Sequence, residues 1–332
     1  MSSQNPEPPT VQTDETQVEF WRRTPPALFP TLMGLLGLGL AWRAAAQSGI
    51  LSITPWISYV LLAFASVLLL FVLACYLSKI SVRLGVILED LRSVPGRAGV
   101  SAMGVSLLLF SSAMVPLSPL VATATLFMGL IWHSAVAALI IFVMVRTPQG
   151  LVISPAWHLS FVGFIVACLS AVPLGYVALS QTILGATVLM SSLIYGVSLL
   201  QLSKAEVPEP LRPMQVIHLA PLSLFTTVSV LLGHALLALI FGTLAIGLAG
   251  VLITRVRYLT RAGFSPLWGA FTFPVAAFSV ALFALSAQIG LFAWLALVPL
   301  ALASVIVPII ALRVLRMWST GALATKTGAA VA

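Results

Sequence analysis

Histidine and cysteine are the residues of this chain best suited to metal binding or acid-base chemistry, and their spacing argues against both. The four histidines lie on separate segments, so no helix carries the i, i+4 pair of a metal site: His133, His158, His218 and His234. Cys75 and Cys168 lie in apolar stretches without the paired spacing of a redox or metal centre. We predict no metal, no cofactor and no catalytic residue. An intramembrane enzyme would need the histidines to converge in space.

Carboxylates are absent from the places where a coupled carrier needs them. The long hydrophobic stretches contain no Asp, Glu or Lys in their interiors, and each such charge at the bilayer centre costs roughly 2.5–3.5 kcal/mol on insertion scales. Proton- and sodium-coupled carriers accept that cost because they use a carboxylate in mid-membrane. This absence argues against a proton-coupled pump and against a cation pathway lined by acidic rings. It is compatible with passive movement of an anion.

The composition requires a lipid environment for these stretches. Hydrophobic residues make up 60% of the 332 residues and charged residues 7%, whereas soluble domains carry roughly 25% charged residues. The mean hydropathy is +1.12. The net charge of +8 raises the question of nucleic acid, but no basic patch has the interleaved aromatic residues of such a surface. We predict an all-α integral membrane protein with no nucleic-acid partner.

Ten hydrophobic runs are long enough to cross a bilayer core of roughly 30 Å, which takes about 20 residues of helix. They cover residues 28–46, 55–77, 99–115, 120–145, 155–172, 176–200, 215–232, 235–254, 266–287 and 290–312. With ten spans, every Lys and Arg except Arg43 falls on one side. Because basic residues accumulate in cytoplasmic loops, both termini are predicted to be cytoplasmic.

The two ends of the chain are predicted to be tails around one channel domain. The acidic, proline-containing segment 1–24 reads as a disordered cytoplasmic tail, 25–318 as the ten-helix domain and 319–332 as a flexible cytoplasmic tail. A rival interpretation makes the run from Arg22 to Ala46 a cleaved signal peptide. The acidic leader and Trp42-Arg43 just before the supposed cleavage site argue against it.

Glycine and proline concentrate in the odd-numbered spans. A kinked, glycine-rich helix can present backbone to a water-filled cavity, so these positions are candidate pore-lining residues. They are Pro30, Gly34, Gly104, Gly163, Pro221, Gly269 and Pro274. The alternative is that they are close-packing positions, which membrane bundles use without any pore. Composition alone favours packing.

Several strings together resemble one known family. They are Phe29-Pro30-Thr31-Leu32-Met33-Gly34, Pro95-Gly96-Arg97, Ser154-Pro155-Ala156-Trp157, Ile217-His218-Leu219-Ala220-Pro221 and Trp268-Gly269-Ala270-Phe271-Thr272-Phe273-Pro274. Each string is weak alone, but their order and spacing resemble the tellurite-resistance/dicarboxylate transporter family, which includes bacterial TehA and the plant guard-cell slow anion channels. The resemblance runs from about residue 29 to residue 312.

This resemblance implies a homotrimer in which each subunit has its own pore, built of five helical hairpins with odd helices inside. A phenylalanine on the ninth helix plugs the pore in the family, and Phe273 is the matching position. A change of its rotamer beside Pro274 would switch conduction. Phe29 is a further pore-lining candidate. Where family members carry a proline in the fifth helix, this chain reads Leu159-Ser160-Phe161, which predicts a straighter helix with Phe161 narrowing the lumen.

The basic residues on the cytoplasmic side predict where anions would gather. Arg97 and Arg212 are predicted to form a positive cytoplasmic vestibule that concentrates anions, although the same arginines could serve only to fix topology. The hypothesis is a passive channel in the inner (plasma) membrane for chloride, nitrate or similar small anions, gated by Phe273. The alternative is a secondary carrier or exporter for C4-dicarboxylates, sulfite or tellurite-related compounds.

Overall fold

The computed structural model describes residues 19–50, 54–146 and 153–332. Within them there are helices and no β-strand, and nine helices are long and apolar enough to cross a membrane, with one shorter apolar segment between the fourth and fifth of them. We number the ten in chain order: α1 Pro26–Ser48, α2 Trp56–Val82, α3 Val94–Met114, α4 Pro119–Arg146, α5 His158–Ala171, α6 Val177–Leu202, α7 Glu209–Leu231, α8 Ala235–Thr254, α9 Pro266–Leu285 and α10 Leu291–Ser319. The predicted all-α, multi-pass class is confirmed; ten membrane crossings and a hairpin plan stay predictions.

The odd-numbered helices form an inner ring. Helix α1 contacts α3, α3 contacts α5, α5 contacts α7, α7 contacts α9, and α9 returns to α1. In the most apolar stretch of α1, α3, α7 and α9, between 56% and 89% of the residues are buried, against 22% to 39% in the five long even-numbered helices. Each even helix packs on the outside of the inner helix that precedes it.

The outer helices keep their apolar side chains on the surface. Each of them presents large hydrophobic side chains that are more than half exposed, among them Phe64, Ile131, Leu193, Leu236 and Val298. An apolar surface of this extent does not occur on soluble monomers. It is the surface that a lipid bilayer covers, as expected for a multi-pass membrane protein.

The inner helices begin irregularly, because proline-containing turns start them. Helices α1, α7 and α9 open with 3-10 turns at Pro26–Leu28, Glu209–His218 and Pro266–Phe271. Proline suits a first turn, since its missing N–H would have no partner there. These turns lie at the same end of the bundle, which we call the basic end because it also carries Arg22, Arg83, Arg97 and Arg212.

Helix α5 is not the straight helix that its lack of proline predicts. It runs as a π-helix over His158–Val162, a 3-10 helix over Gly163–Ala167 and one α-helical turn over Cys168–Ala171. Two side chains of the wide π turn bond to opposite neighbours: Ser160 Oγ lies 2.8 Å from Ser101 Oγ of α3, and His158 bonds to α7. Bonding to both sides holds the turn in a shape that a regular helix does not have.

The two ends of the described chain meet at the basic end. The predicted disordered tail over 1–24 lies mostly outside the described residues, but Phe20–Arg23 forms a 3-10 turn and the Arg22 carbonyl accepts a bond from Ala332 N. Within the predicted flexible tail over 319–332, Ala322–Thr327 is a helix with Leu323 fully buried. Burial of that side chain gives the segment a reason to order.

A buried ion pair fastens this C-terminal segment. Asp90 and Lys79 have no exposed side-chain surface, and Lys79 Nζ lies 3.3 Å from Asp90 Oδ2. Tyr76 donates to the same oxygen at 2.9 Å, and Ala330 N donates to Asp90 Oδ1 at 2.8 Å. The Lys79 ammonium also reaches the Thr24 carbonyl at 3.1 Å. The Asp90 carboxylate therefore joins α2 to the C-terminal segment, and Lys79 joins this pair to the chain entering α1.

Candidate functional site

Three cavities follow one another through the inner ring. The basic-end cavity has a volume of about 40 Å³ and is lined by the first turns of the odd helices. The middle cavity has a volume of about 20 Å³. The wide cavity, about 330 Å³, lies among the last turns at the opposite end. All five odd helices contribute to each, the even helices supply none of the described lining residues, and Phe273 lines all three.

Phe273 is held between α1 and an irregular turn of α9. Its side chain is buried, 4% exposed, and its ring packs on Gly37: a Cβ at that glycine would lie 2.8 Å from Phe273 Cδ2. The preceding Thr272 Oγ1 lies 2.7 Å from the Gly269 carbonyl and 3.1 Å from the Pro30 carbonyl, which ties α9 to α1. Pro274 has no N–H, so the backbone bond that a regular helix would make there is missing. The ring thus borders both the basic-end cavity and the wide one.

The predicted lining residues divide into two groups. Five of them line the cavities: Pro30, Gly163, Pro221, Gly269 and Pro274. Four lie elsewhere. The Phe29 ring packs edge-on against Tyr76 of α2, Phe161 packs against Trp157, and Gly34 and Gly104 face Thr272 and His133.

The two arginines predicted to form a vestibule line none of the three cavities. Arg212 is 6% exposed and ion-paired to Glu206 and Glu209, and its guanidinium stacks 4.1 Å above the Tyr258 ring. Arg97 lines a separate cavity of about 680 Å³ at the basic end. Nearby, a two-point bond from Arg83 lowers the pKa of the exposed Glu89 carboxyl. Arg83 and Arg212 are therefore neutralised locally.

Arg43 is the charged residue that sequence reasoning passed over. Among the described residues that line the three cavities it is the only Lys, Arg, Asp or Glu, and it lines the wide cavity. It was visible in the sequence as the one basic residue on the far side of the predicted spans, and it ends the string Leu40-Ala41-Trp42-Arg43.

Comparison with known families gives one match over most of the chain. A family model described as a voltage-dependent anion channel, SLAC1, matches residues 23–315. The chain belongs to the SLAC1 family. The match includes all ten numbered helices up to most of α10, and it confirms the resemblance to TehA and the slow anion channels. No individual curated protein matches the chain.

Membership of the SLAC1 family supports anion transport across a lipid bilayer. The cavities fit that activity in one respect, since none of their described lining residues is an acid. A pathway without fixed negative charge does not repel an anion.

Two of the four histidines of this SLAC1-family member lie within hydrogen-bonding distance of each other. His158 Nε2 of α5 lies 2.9 Å from His218 Nδ1 of α7, and both rings are buried. His133 packs separately against Phe164, with ring centroids 4.5 Å apart. Among the described residues there is no group of three or more His, Cys, Asp or Glu side chains that could hold a metal ion. The pair joins two inner helices beside the middle cavity, which His158 lines.

Substitution of Gly34 tests whether this glycine is a close-packing position between helices or a pore-lining position. A Cβ at Gly34 would overlap the Thr272 side chain, whereas one at Gly185 on α6 would have no neighbour within 4 Å. Gly34→Ala is therefore expected to destabilise the protein by about 1–3 kcal/mol, as overpacking does. Gly185→Ala, the control, should leave stability equal or slightly higher, since alanine favours a helix. Thermal unfolding in detergent measures both; equal melting temperatures would contradict the tight α1–α9 contact.

Proposed function

We propose that this chain is a passive anion channel that carries chloride, nitrate or similar small anions down their electrochemical gradient, with Phe273 as its gate. The observation that carries the proposal is that one aromatic ring lines all three cavities of the inner ring. An apolar constriction on a pathway stops ions because water leaves it. Rotation of one side chain would join the cavities without moving a helix.

The chain is further proposed to act as a homotrimer with one pore per subunit, in the inner (plasma) membrane, with both termini cytoplasmic. The trimer rests on the resemblance to the family. The orientation rests on the positive-inside rule, and it is supported by the position of Arg22 and Ala332 at the basic end. In this orientation the wide cavity and Arg43 face the periplasm.

Reconstitution into planar bilayers tests the channel against the carrier. A channel is expected to give a current that follows the voltage, needs no counter-anion and reverses near the equilibrium potential of the anion. Chloride, nitrate, sulfite and malate are compared one at a time. A saturable flux that requires an exchangeable anion on the other side would instead support the carrier for dicarboxylates, sulfite or tellurite-related compounds.

Gly37 is expected to act through Phe273. A methyl group at residue 37 would occupy space now filled by the ring edge, and overpacking displaces neighbouring side chains, so Gly37→Ala should shift the ring and change the current by several-fold. In the Phe273→Ala background the same substitution has no ring to displace. The current per channel is measured for both single variants and for the double variant. If the effects of the two substitutions on the current simply add, Gly37 does not act through the Phe273 ring, and the prediction is contradicted.

A further inference from the structure

Arg43 lies on α1 at the end of the ring opposite the basic end. Its Nη1 and Nη2 atoms donate to the carbonyls of Ser112 and Ala113, each at 3.0 Å. These carbonyls belong to the last turn of α3, where helix carbonyls have no partner within the helix and carry partial negative charge. The two bonds fix the guanidinium in place while leaving its full positive charge in the cavity wall.

The bound guanidinium retains hydrogen-bonding capacity. It has five N–H groups, and two of them point to α3; for the other three, the described residues provide no acceptor. The wide cavity that Arg43 lines also contains the polar side chains of Gln47, Ser112 and Thr227, and no carboxylate among its described residues. A fixed cation with spare donors and neighbouring hydroxyl and amide groups is suited to an anion.

The opposite side of Phe273 has no counterpart to this site. The described residues of the basic-end cavity are all apolar or glycine, and the nearby Arg212 is paired with two glutamates. Within the three cavities the positive charge therefore lies on the wide side of Phe273, although most basic residues of the chain lie at the other end. An anion finds its first unneutralised cation inside the pathway at Arg43.

We propose that Arg43 forms an anion-binding site in the mouth of the wide cavity, which takes small inorganic anions and sets the conductance and the anion-over-cation selectivity for ions entering from that side. This inference rests on the proposed function, because it requires the cavities to be the permeation path. A positive charge in a cleft raises the local concentration of anions and their rate of entry, and salt screens the effect.

The first test removes the charge in a conducting background. Phe273→Ala and Phe273→Ala/Arg43→Gln channels are compared in planar bilayers at about 0.01 M and about 1 M chloride, where the Debye length is roughly 30 Å and 3 Å. The glutamine variant is expected to lose at least about threefold in conductance at low salt, to recover at high salt, and to select less strongly against sodium. Arg92 lines, with Arg97, the separate cavity at the basic end and none of the three inner cavities, so Arg92→Gln removes the same charge at the basic end and should not change currents entering from the Arg43 side.

The second test separates charge from structure. Arg43→Cys in the Phe273→Ala background is modified, from the wide-cavity side, with a trimethylammonium or a sulfonate methanethiosulfonate reagent. The positive adduct is expected to restore the low-salt conductance and the negative adduct to lower it further. Phe273→Ala channels with only the buried Cys75 and Cys168 are the reagent control. If arginine served only to cap α3, both adducts would act alike.

The outcomes separate the two proposals. If neither the unmodified chain nor folded Phe273→Ala passes any anion current, the proposed channel function is overturned, and the Arg43 site, which rests on it, is overturned with it. If Phe273→Ala conducts, but Arg43→Gln equals it at every salt concentration, or both adducts give the same current, the Arg43 site is overturned. Gel filtration of each variant shows whether it is folded. Arg43→Lys, which keeps the charge, is expected to lose less conductance than Arg43→Gln, and an equal loss also contradicts the proposal.

Discussion

Phe273→Ala is expected to raise the anion conductance by about tenfold or more, because removing the ring lets water occupy the apolar constriction that the ring fills. The ring lies where the basic-end, middle and wide cavities meet. Its removal is expected to join them into one path through the inner ring. Single-channel recording in planar bilayers, with chloride as the only permeant anion, measures the effect per molecule and so does not depend on expression.

A graded series at residue 273 and a matched control make this prediction more specific. Phe273→Leu and Phe273→Val retain part of the apolar bulk, so conductance should rise in the order Phe, Leu, Val, Ala. Phe283 is the control, because it lies on the same helix, is 5% exposed and packs in a separate cluster with Ala41, Ala45 and Ala296. Phe283→Ala should lower stability by about 3–5 kcal/mol, as a large-to-small core substitution does, without opening the path.

A folded Phe273→Ala protein with the original current would remove Phe273 from the gate. The channel proposal would then need another barrier, and the carrier alternative would gain support. An equal rise in the Phe283→Ala control would have the same consequence, because it would attribute the current to general loosening of the bundle.

Asp90→Ala is expected to cost about 3–5 kcal/mol of stability, because it leaves the fully buried Lys79 ammonium without its counter-ion. It also removes the acceptor of the Tyr76 hydroxyl and of the Ala330 N–H. The apparent melting temperature in detergent should fall by roughly 5–10 °C. The C-terminal segment should detach, so that trypsin cleaves at Lys326 faster than in the unmodified chain.

Two variants show whether the loss of stability comes from an unpaired buried charge or from the loss of any ion pair. Lys79→Met combined with Asp90→Leu removes both charges, and it should recover much of the stability that Asp90→Ala loses, since an unpaired buried charge costs more than no charge. Glu89→Gln breaks the neighbouring exposed pair with Arg83 but leaves the Arg83 bond to the Val331 carbonyl, and it should leave the melting temperature unchanged. A double variant as unstable as Asp90→Ala would mean that Lys79 and Asp90 stabilise the protein by something other than their pairing.

The membrane class and the succession of helices were predictable because the bilayer constrains sequence locally. A spanning helix needs a length of apolar residues that can be read along the chain, and basic residues follow the side of the membrane. Boundaries matched closely for α8, predicted and observed at 235–254. Proline and glycine marked the inner helices, and the Thr272-Phe273-Pro274 string marked the ring that lines the cavities.

Which face of an inner helix meets a cavity was not predictable, because these helices are buried all round and hydrophobicity does not distinguish lumen from neighbour. Pro30 and Gly34 lie one turn apart on α1, yet Pro30 lines the basic-end cavity and Gly34 packs on Thr272. Pairing of charges also depends on partners distant in sequence. Asp90 binds Ala330 across 240 residues, and Arg43 reaches carbonyls 69 and 70 residues away.

The sequence by itself determined that the chain is an apolar helical bundle of a recognisable family, because insertion into lipid and short motifs are local properties. Only the tertiary structure decided that Arg212 is neutralised while Arg43 is the charge in the cavity wall. The reason is that the field in a pathway depends on which charges have partners in space, and counts along the chain do not contain that information.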